Sequence, residues 1–328
     1  MAILVTGATG FLGSHLAWAL RDSGVVATGR DPRKLAALGA KGLRAVPLDL
    51  SHPVPAADRD RIGPVEAVVH SAGLSSPWGS RAAFQSANVD ATRHVLELAA
   101  SLGAKRFVFV STASVYFRFQ DQDDLREGNL PQQFVNAYAA TKRAAELEVL
   151  ARPALRPIVI RPRGIYGAGD TTLLPRLMRV AARRPMPRFT PAGATDITHV
   201  DDVVAGCIAA LNAGPHLGGQ IFNISGGVGV ALSDIITAVC EATGVTPRWR
   251  HLPFAPTLAA VRGVEAAAKC LPGQPEPPVT AYALGILRYR QTMNIAAAEA
   301  ELNWQPQVSF QEGLARTFKD GAMRPGVL

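Results

Sequence analysis

The chain has 328 residues, of which 48% are hydrophobic and 18% charged, and a formal net charge of +8. This excludes a disordered chain and leaves room for one large or two modest domains. The basic residues are dispersed, densest at Arg161/Arg163, Arg183-Arg184 and Arg288/Arg290 without interleaved aromatics, so an anionic cofactor or general solubility accounts for the charge and no nucleic-acid partner is expected.

The three cysteines, Cys207, Cys240 and Cys270, are far apart and lack ligand spacing. They read as free thiols of a reducing compartment, with no metal site. Met1 leads directly into Ala-Ile-Leu-Val without a basic leader, which favours a cytoplasmic location. No apolar run approaches the roughly 20 residues of a spanning helix.

Ala2 to Val5 reads as a buried parallel strand. It runs into Thr6-Gly-Ala-Thr-Gly-Phe-Leu-Gly13, and Ser14 to Leu20 continues as helix. Gly7, Gly10 and Gly13 allow a tight turn, close approach of the backbone to a pyrophosphate, and tight helix–strand packing. The helix N-terminus then faces the phosphates. Gly7, Thr9, Gly10, Phe11, Leu12 and Gly13 are therefore the expected dinucleotide-binding turn.

Val25 to Thr28 reads as the second strand, ending in Gly29-Arg30 and then Asp31. A cofactor with a free 2′-hydroxyl usually meets an acidic residue at this point. Arg30 instead suits a 2′-phosphate, with Gly29 leaving room for it, so NADP is favoured and NAD stays possible through Asp31. Ala45 to Leu48 is the third strand. Asp49, beside Leu50, is a candidate for the adenine amino group or a turn cap. Val65 to His70 is the fourth strand, and Ser71-Ala72-Gly73 lets the backbone pass close to the cofactor. Asn88, near the start of the helix 87–100, supports the site or caps the helix.

Arg106 to Val110 is the fifth strand, ending in Ser111-Thr-Ala-Ser-Val-Tyr116. Hydroxyls there face the crevice where parallel sheets bind ligands. After a polar loop, Gln120 to Gln133, comes Ala137 to Leu150, rich in helix formers and free of Gly and Pro. Tyr138 and Lys142 are one helical turn apart on one face, and a nearby cation favours a phenolate. Pro157 to Ile160 is the sixth strand. The alternation predicts an α/β fold with a doubly wound parallel sheet.

The pattern loosens beyond residue 166. Leu173 to Arg184 reads as a basic helix, Thr195 to Val204 as a strand end and a capped helix, Gln220 to Ile224 as a strand, and Leu232 to Thr243 as a helix. Pro256 to Leu271 is Ala-rich and broken by Arg262, Glu265 and Lys269. It reads as an amphipathic lid with weak membrane contact at most.

With these pieces in place the chain resembles the extended short-chain dehydrogenases/reductases over nearly its full length. The resemblance rests on Thr6 to Gly13, Ser111-Thr-Ala-Ser-Val-Tyr116, Tyr138-Ala-Ala-Thr-Lys142, Arg161-Pro-Arg-Gly-Ile-Tyr-Gly167, His199-Val-Asp-Asp202 and Glu301-Leu-Asn-Trp304. It implies a Rossmann domain over 1–165 and a smaller, mostly helical substrate region over 166–328, with about 195–224 returning to the core. It implies a homodimer and a catalytic set of Thr112, Tyr138 and Lys142. Tyr138 would be the proton donor or acceptor. Lys142 would hold the nicotinamide ribose and lower the Tyr138 pKa. Ser111 would neighbour the cofactor, and Pro162 and Ile165 would lie by the carboxamide.

Nucleotide-sugar enzymes of this family usually carry an Arg where Thr195 stands and an Asn where Gly164 stands; Arg288 or Arg290 could substitute for that Arg. Ser76-Pro-Trp-Gly79, Phe84 to Val89 and Thr171 to Pro175 instead look like the branch of 3β-hydroxysteroid dehydrogenases and β-keto-acid reductases. The expected function is hydride transfer between NADP(H) and a small hydrophobic ketone or secondary alcohol. The alternatives are a nucleotide-sugar epimerase or dehydratase, and a non-catalytic dinucleotide-sensing regulator.

Overall fold

In this computed structural model, which describes residues 2–319, the strands Ile3–Thr6 (β1), Val25–Gly29 (β2), Arg44–Pro47 (β3), Ala67–His70 (β4), Arg106–Val110 (β5), Pro157–Pro162 (β6) and Ile221–Ile224 (β7) form one sheet. Met1 and 320–328, the outer ends of the two expected regions, lie outside the described residues. Every pairing in the sheet is parallel. The spatial order is β7-β6-β5-β4-β1-β2-β3. The order reverses between β1 and β4, and ligands of such sheets bind at that switch point, beyond the carboxyl ends of the strands.

The strands inside the sheet are mainly apolar because both sheet faces are covered, and successive side chains alternate between two cores, whereas the edge strand β3 is partly exposed. Val5, Ala27, Val69, Val108 and Ile160 face the helices Phe11–Ala19 (α1) and Val200–Asn212. Leu4, Val26, Val68, Phe107 and Val159 face Ala91–Ser101 and Ala137–Leu150 (α2). A third core joins Leu174, Met178, Met186, Ile235, Ile236 and Val239, outside the sheet. Two pairs of short strands escape sequence reading. Gln122–Leu125 hides inside the polar loop because its two aspartates are exposed, and it pairs with Gln291–Met293. Trp249–His251 pairs with Met186–Arg188.

Two buried polar groups fix the strand ends. His70, fully buried at the end of β4, bonds through Nδ1 to Thr6 Oγ1 at 2.7 Å and through Nε2 to Thr92 Oγ1 at 3.0 Å. Burial pushes its imidazole down from 6.5 to about 3, with the Lys142 charge adding to the effect. Between those values the unfolded chain binds a proton that the folded chain refuses. The stability this confers is therefore complete above pH 6.5 and lost as the pH falls toward 3. The unfolding free energy measured against pH should fall by about 1.4 kcal/mol per unit below that threshold from this group. A His70→Asn variant should show the shallower slope.

The second group is Asn88, in a one-turn π-helical segment, Gln85–Asp90. It does not cap a helix. Its Oδ1 accepts from Leu74 N at 2.8 Å and its Nδ2 donates to Thr141 Oγ1 at 3.2 Å. It thus ties the loop after β4 to α2. Among the described residues no helix is long and apolar enough to cross a membrane, and no metal-binding cluster is found.

Candidate active site

The Gly-rich turn joins β1 to α1 at the carboxyl edge of the sheet. Gly7 is held at φ 73° with Ala72 N only 2.7 Å from where a Cβ would stand. A Cβ on Gly13 would fall 2.1 Å from Gly7 O, far inside van der Waals contact. The turn can therefore close only with hydrogen at both positions. Gly10 caps α1 without a side-chain bond, and that first turn holds no acidic residue. Free amides at a positive helix end, behind a cradle any Cβ would fill, fit a pyrophosphate.

Gly29 has a different reason from the room expected for a phosphate: its Cβ would lie 2.5 Å from Thr9 Oγ1. Arg30 follows it and is exposed. Asp31 Oδ1 accepts from Arg33 N at 3.0 Å and Lys34 N at 3.1 Å, capping the next helix. Asp49 likewise accepts from Ser51 N at 3.0 Å; that bond, with the nearby Arg30 charge, holds its carboxyl below the usual range. Leu50 packs in the core, and its carbonyl accepts from His94 Nδ1 at 2.9 Å. Ser71 Oγ donates to Thr6 O at 2.7 Å, and Gly73 makes room for Asn88 Oδ1, which lies 3.0 Å from where a Cβ would stand.

Tyr138 stands in the first turn of α2, behind the cap that Asn136 Oδ1 gives to Ala139 N at 2.9 Å. Burial pushes its phenol up, while hydrogen bonds with Ser75 and Thr112 pull the other way. Thr112 and Ser75 thus neighbour the phenol, and sequence reading missed Ser75 because Leu74-Ser75-Ser76 carries no periodic signal. Lys142, one turn on, is buried, donates from Nζ to Val110 O at 2.7 Å and lies 4.1 Å from the Phe109 ring centroid. Burial pushes its ammonium down to about 7, against the Glu146 charge. This corrects the expectation that Lys142 lowers the Tyr138 pKa. Here desolvation governs both groups, and the phenol goes up.

Ser111 is a second correction. Its hydroxyl donates to Glu146 Oε1 within the protein rather than facing a ligand. Glu146 lies one turn beyond Lys142 and is gripped by the fully buried Arg161, with Nε–Oε1 2.8 Å and Nη2–Oε2 2.6 Å. Burial pushes the Glu146 carboxyl up, but the Arg161 bonds and charge, with Ser111 and Arg143, hold it below its ordinary range. Arg161 also donates to Tyr116 OH at 2.6 Å, and Tyr116 OH donates to Asn223 Oδ1 at 2.7 Å. Pro162 follows Arg161 on β6, and Ile165 starts the short strand Ile165–Tyr166 behind Gly164, held at φ 52°.

The expected lid is the helix Phe254–Cys270. Its exposed Arg262 and Lys269 lie over aromatic rings, and the half-buried Glu265 bonds a backbone amide. Arg262 lies 5.0 Å from the Phe119 ring, Glu265 Oε1 accepts from Ala281 N at 2.8 Å, and Lys269 lies 5.6 Å from the Trp78 ring. Trp78 Nε1 donates to Gln274 O at 2.8 Å, so the segment after the helix is strapped to the loop that carries Ser75.

Comparison with known proteins agrees with this architecture. Residues 3–225 match the NAD dependent epimerase/dehydratase family. A 4-hydroxy-2-methyl-3-oxo-4-farnesyl-3,4-dihydroquinoline-1-oxide ketoreductase of Stigmatella aurantiaca is 30% identical, over 100% of this chain and 99% of its own. A 2-alkyl-3-oxoalkanoate reductase of Stenotrophomonas maltophilia is 30% identical, over 96% of this chain and 98% of its own. The solved structure of MoeE5 in complex with UDP-glucose and NAD superposes with a TM-score of 0.74 at 27% identity, covering 97% of this chain and 98% of that one. The chain belongs to the NAD-dependent epimerase/dehydratase family, the extended short-chain dehydrogenases/reductases, and is an NAD(P)-dependent oxidoreductase.

Proposed function

We propose that this enzyme reduces a hydrophobic ketone, or oxidises the matching secondary alcohol, with NADP(H) as the preferred cofactor. The observation that carries this reading is Tyr138 in the first turn of α2 with the buried Lys142 one turn behind it, its Nζ on Val110 O at the carboxyl end of β5. A bound nicotinamide supplies or accepts the hydride. Thr112 and Ser75 orient the substrate oxygen and Tyr138 passes it a proton. Lys142, anchored on Val110 O one turn from Tyr138, holds the nicotinamide ribose. Arg30 and the amides of residues 11–13 hold the phosphates, the Gly10 amide being bonded to Gly7 O at 2.8 Å.

The ketone class follows from the chemistry named for the two relatives. The nucleotide-sugar reading loses support locally. Thr195 is buried and accepts from Arg163 Nε at 2.8 Å, and Arg290 is paired with Asp123 at 2.7 Å on the surface. Of the two substitute arginines, only Arg288, with a buried Nη1 lacking a partner among the described residues, remains for a diphosphate.

The test is a titration with NADPH and NADH followed by nicotinamide fluorescence, on the wild type and Arg30→Ala. NADPH then drives assays on 2-alkyl-3-oxoalkanoates and 3-ketosteroids. NADPH should bind more tightly, and the variant should lose that preference by about 10- to 100-fold, the worth of a charge-assisted contact. Tighter NADH binding would overturn the cofactor assignment. A thermal shift with UDP-glucose, together with no ketone turnover, would return the enzyme to the epimerases.

A further inference from the structure

The net charge of +8 is not spread over the folded molecule. Residues 171–195 and 242–264 together hold eight arginines and no acidic residue, and the remaining 26 Lys and Arg balance the 26 Asp and Glu. The two segments are far apart in sequence, but the strands Met186–Arg188 and Trp249–His251 pair and bring them to one corner. In the helix Leu173–Arg183, Leu174, Met178 and Ala181 are buried, which turns Arg176, Arg179 and Arg183 outward on the opposite face. Arg184, Arg188, Arg248 and Arg250 are exposed as well. Arg176 pairs with Glu276 at 2.6 Å; none of the other seven, Arg262 included, makes an ion pair among the described residues. The corner runs on into the helix Phe254–Cys270. Leu252 N donates to Arg188 O at 3.2 Å, and the Phe189 and Phe254 rings meet with centroids 5.1 Å apart. Leu258 and Ala268 are buried beneath this helix. Outward it shows Val264, 51% exposed, and Leu271 at its C-cap, 54% exposed, two turns apart on one stripe. Arg262 and Lys269 are the only charges on its exposed side, where a surface helix is ordinarily polar.

We propose that this corner is a docking surface for an anionic membrane. The arginines meet lipid phosphates, and Val264 and Leu271 enter the acyl boundary, with the helix lying in the plane of the interface. Either signal alone is weak; an apolar insertion together with a basic patch holds a protein at a bilayer. A nucleic acid would use the charge but leave Val264 and Leu271 in water. The helix also sits against the loop that carries Ser75, since Lys269 lies 5.6 Å from the Trp78 ring and Trp78 Nε1 donates to Gln274 O. The use of such docking, uptake of a ketone dissolved in the bilayer, rests on the hydrophobic-substrate reading above.

The test is co-sedimentation of the whole chain, without substrate, with vesicles of phosphatidylcholine alone or with about 30% phosphatidylglycerol, at about 0.05 and 0.5 M salt. The protein should bind only the anionic vesicles, and salt should weaken that binding. Arg183→Ala with Arg250→Ala should lower partitioning by roughly 25-fold, about fivefold per arginine. Val264→Asp with Leu271→Asp should lower it by at least about tenfold. All four side chains are exposed, so thermal midpoints should stay at the wild-type value. Arg59→Ala with Arg152→Ala, exposed arginines away from this corner, is the control and should retain most of the binding. Equal binding to both vesicle types, a loss in the control pair as large as in Arg183→Ala with Arg250→Ala, wild-type partitioning of Val264→Asp with Leu271→Asp, or tighter binding of a DNA duplex than of vesicles would overturn the docking surface. Binding to anionic vesicles with no turnover of a 2-alkyl-3-oxoalkanoate by the wild type would instead overturn the substrate reading and leave the surface standing.

Discussion

Replacing Tyr138 by phenylalanine is expected to lower kcat by about 10²- to 10⁴-fold, the usual contribution of a positioned general acid or base. The ring is retained, including its contact with Phe84 at 6.1 Å between centroids, so the fold should not register the change. NADPH affinity should stay within about twofold, since removing a group that acts in the transition state leaves ground-state binding intact. Single-turnover kinetics with a ketone and a fluorescence titration with NADPH measure the two quantities separately. Near-normal turnover would mean that the proton comes from another group, with Ser75 and Thr112 the nearest hydroxyls. Burial pushes the Tyr138 phenol up, so in the free enzyme it is protonated at neutral pH and ready to donate, which suits reduction. The oxidative direction needs the phenolate and should accelerate with rising pH in the wild type.

Arg161→Met is expected to cost about 3–5 kcal/mol, the loss seen when one partner of a buried ion pair is removed. Arg161 and Glu146 are both 0% exposed at their side chains, and Arg161 provides both halves of the grip on the carboxylate. Without it Glu146 keeps only Ser111 and Arg143, and Tyr116 loses a donor. The consequence reaches the site because the pair joins three segments: the strand end with Ser111-Thr112, the helix with Tyr138 and Lys142, and β6 with Pro162. Denaturant midpoints for Arg161→Met, Glu146→Leu and the double variant test this. The double variant should recover much of the loss, because apolar replacement of a whole buried pair is often close to neutral. Its kcat should nonetheless stay low, since packing alone does not fix Thr112 against Tyr138. Equal stability of Arg161→Met and the wild type would show that the pair contributes nothing.

Much of this was legible in the chain itself. The apolar runs of 4–6 residues at β1, β2, β4, β5 and β6 had to be strands buried on both faces. The spacing of Gly7, Gly10 and Gly13 between a strand and a helix had one economical use. Tyr138 and Lys142 shared a face by helical period alone, and Glu146 continues that face at the next turn. These are local rules, set by side-chain periodicity and by where a Cβ fits. Only the tertiary structure decided the rest. Whether Asp31 reads a ribose or caps a helix depends on where its backbone turns. Ser111 and Thr112 are adjacent hydroxyls, yet one is taken by Glu146 and the other faces Tyr138, because neighbouring side chains at a strand end point to opposite sides. The direction of the Tyr138 and Lys142 shifts came from burial, which spacing does not reveal. Trp78 meets Gln274 from 196 residues away in the chain, and no local pattern encodes a contact over that distance.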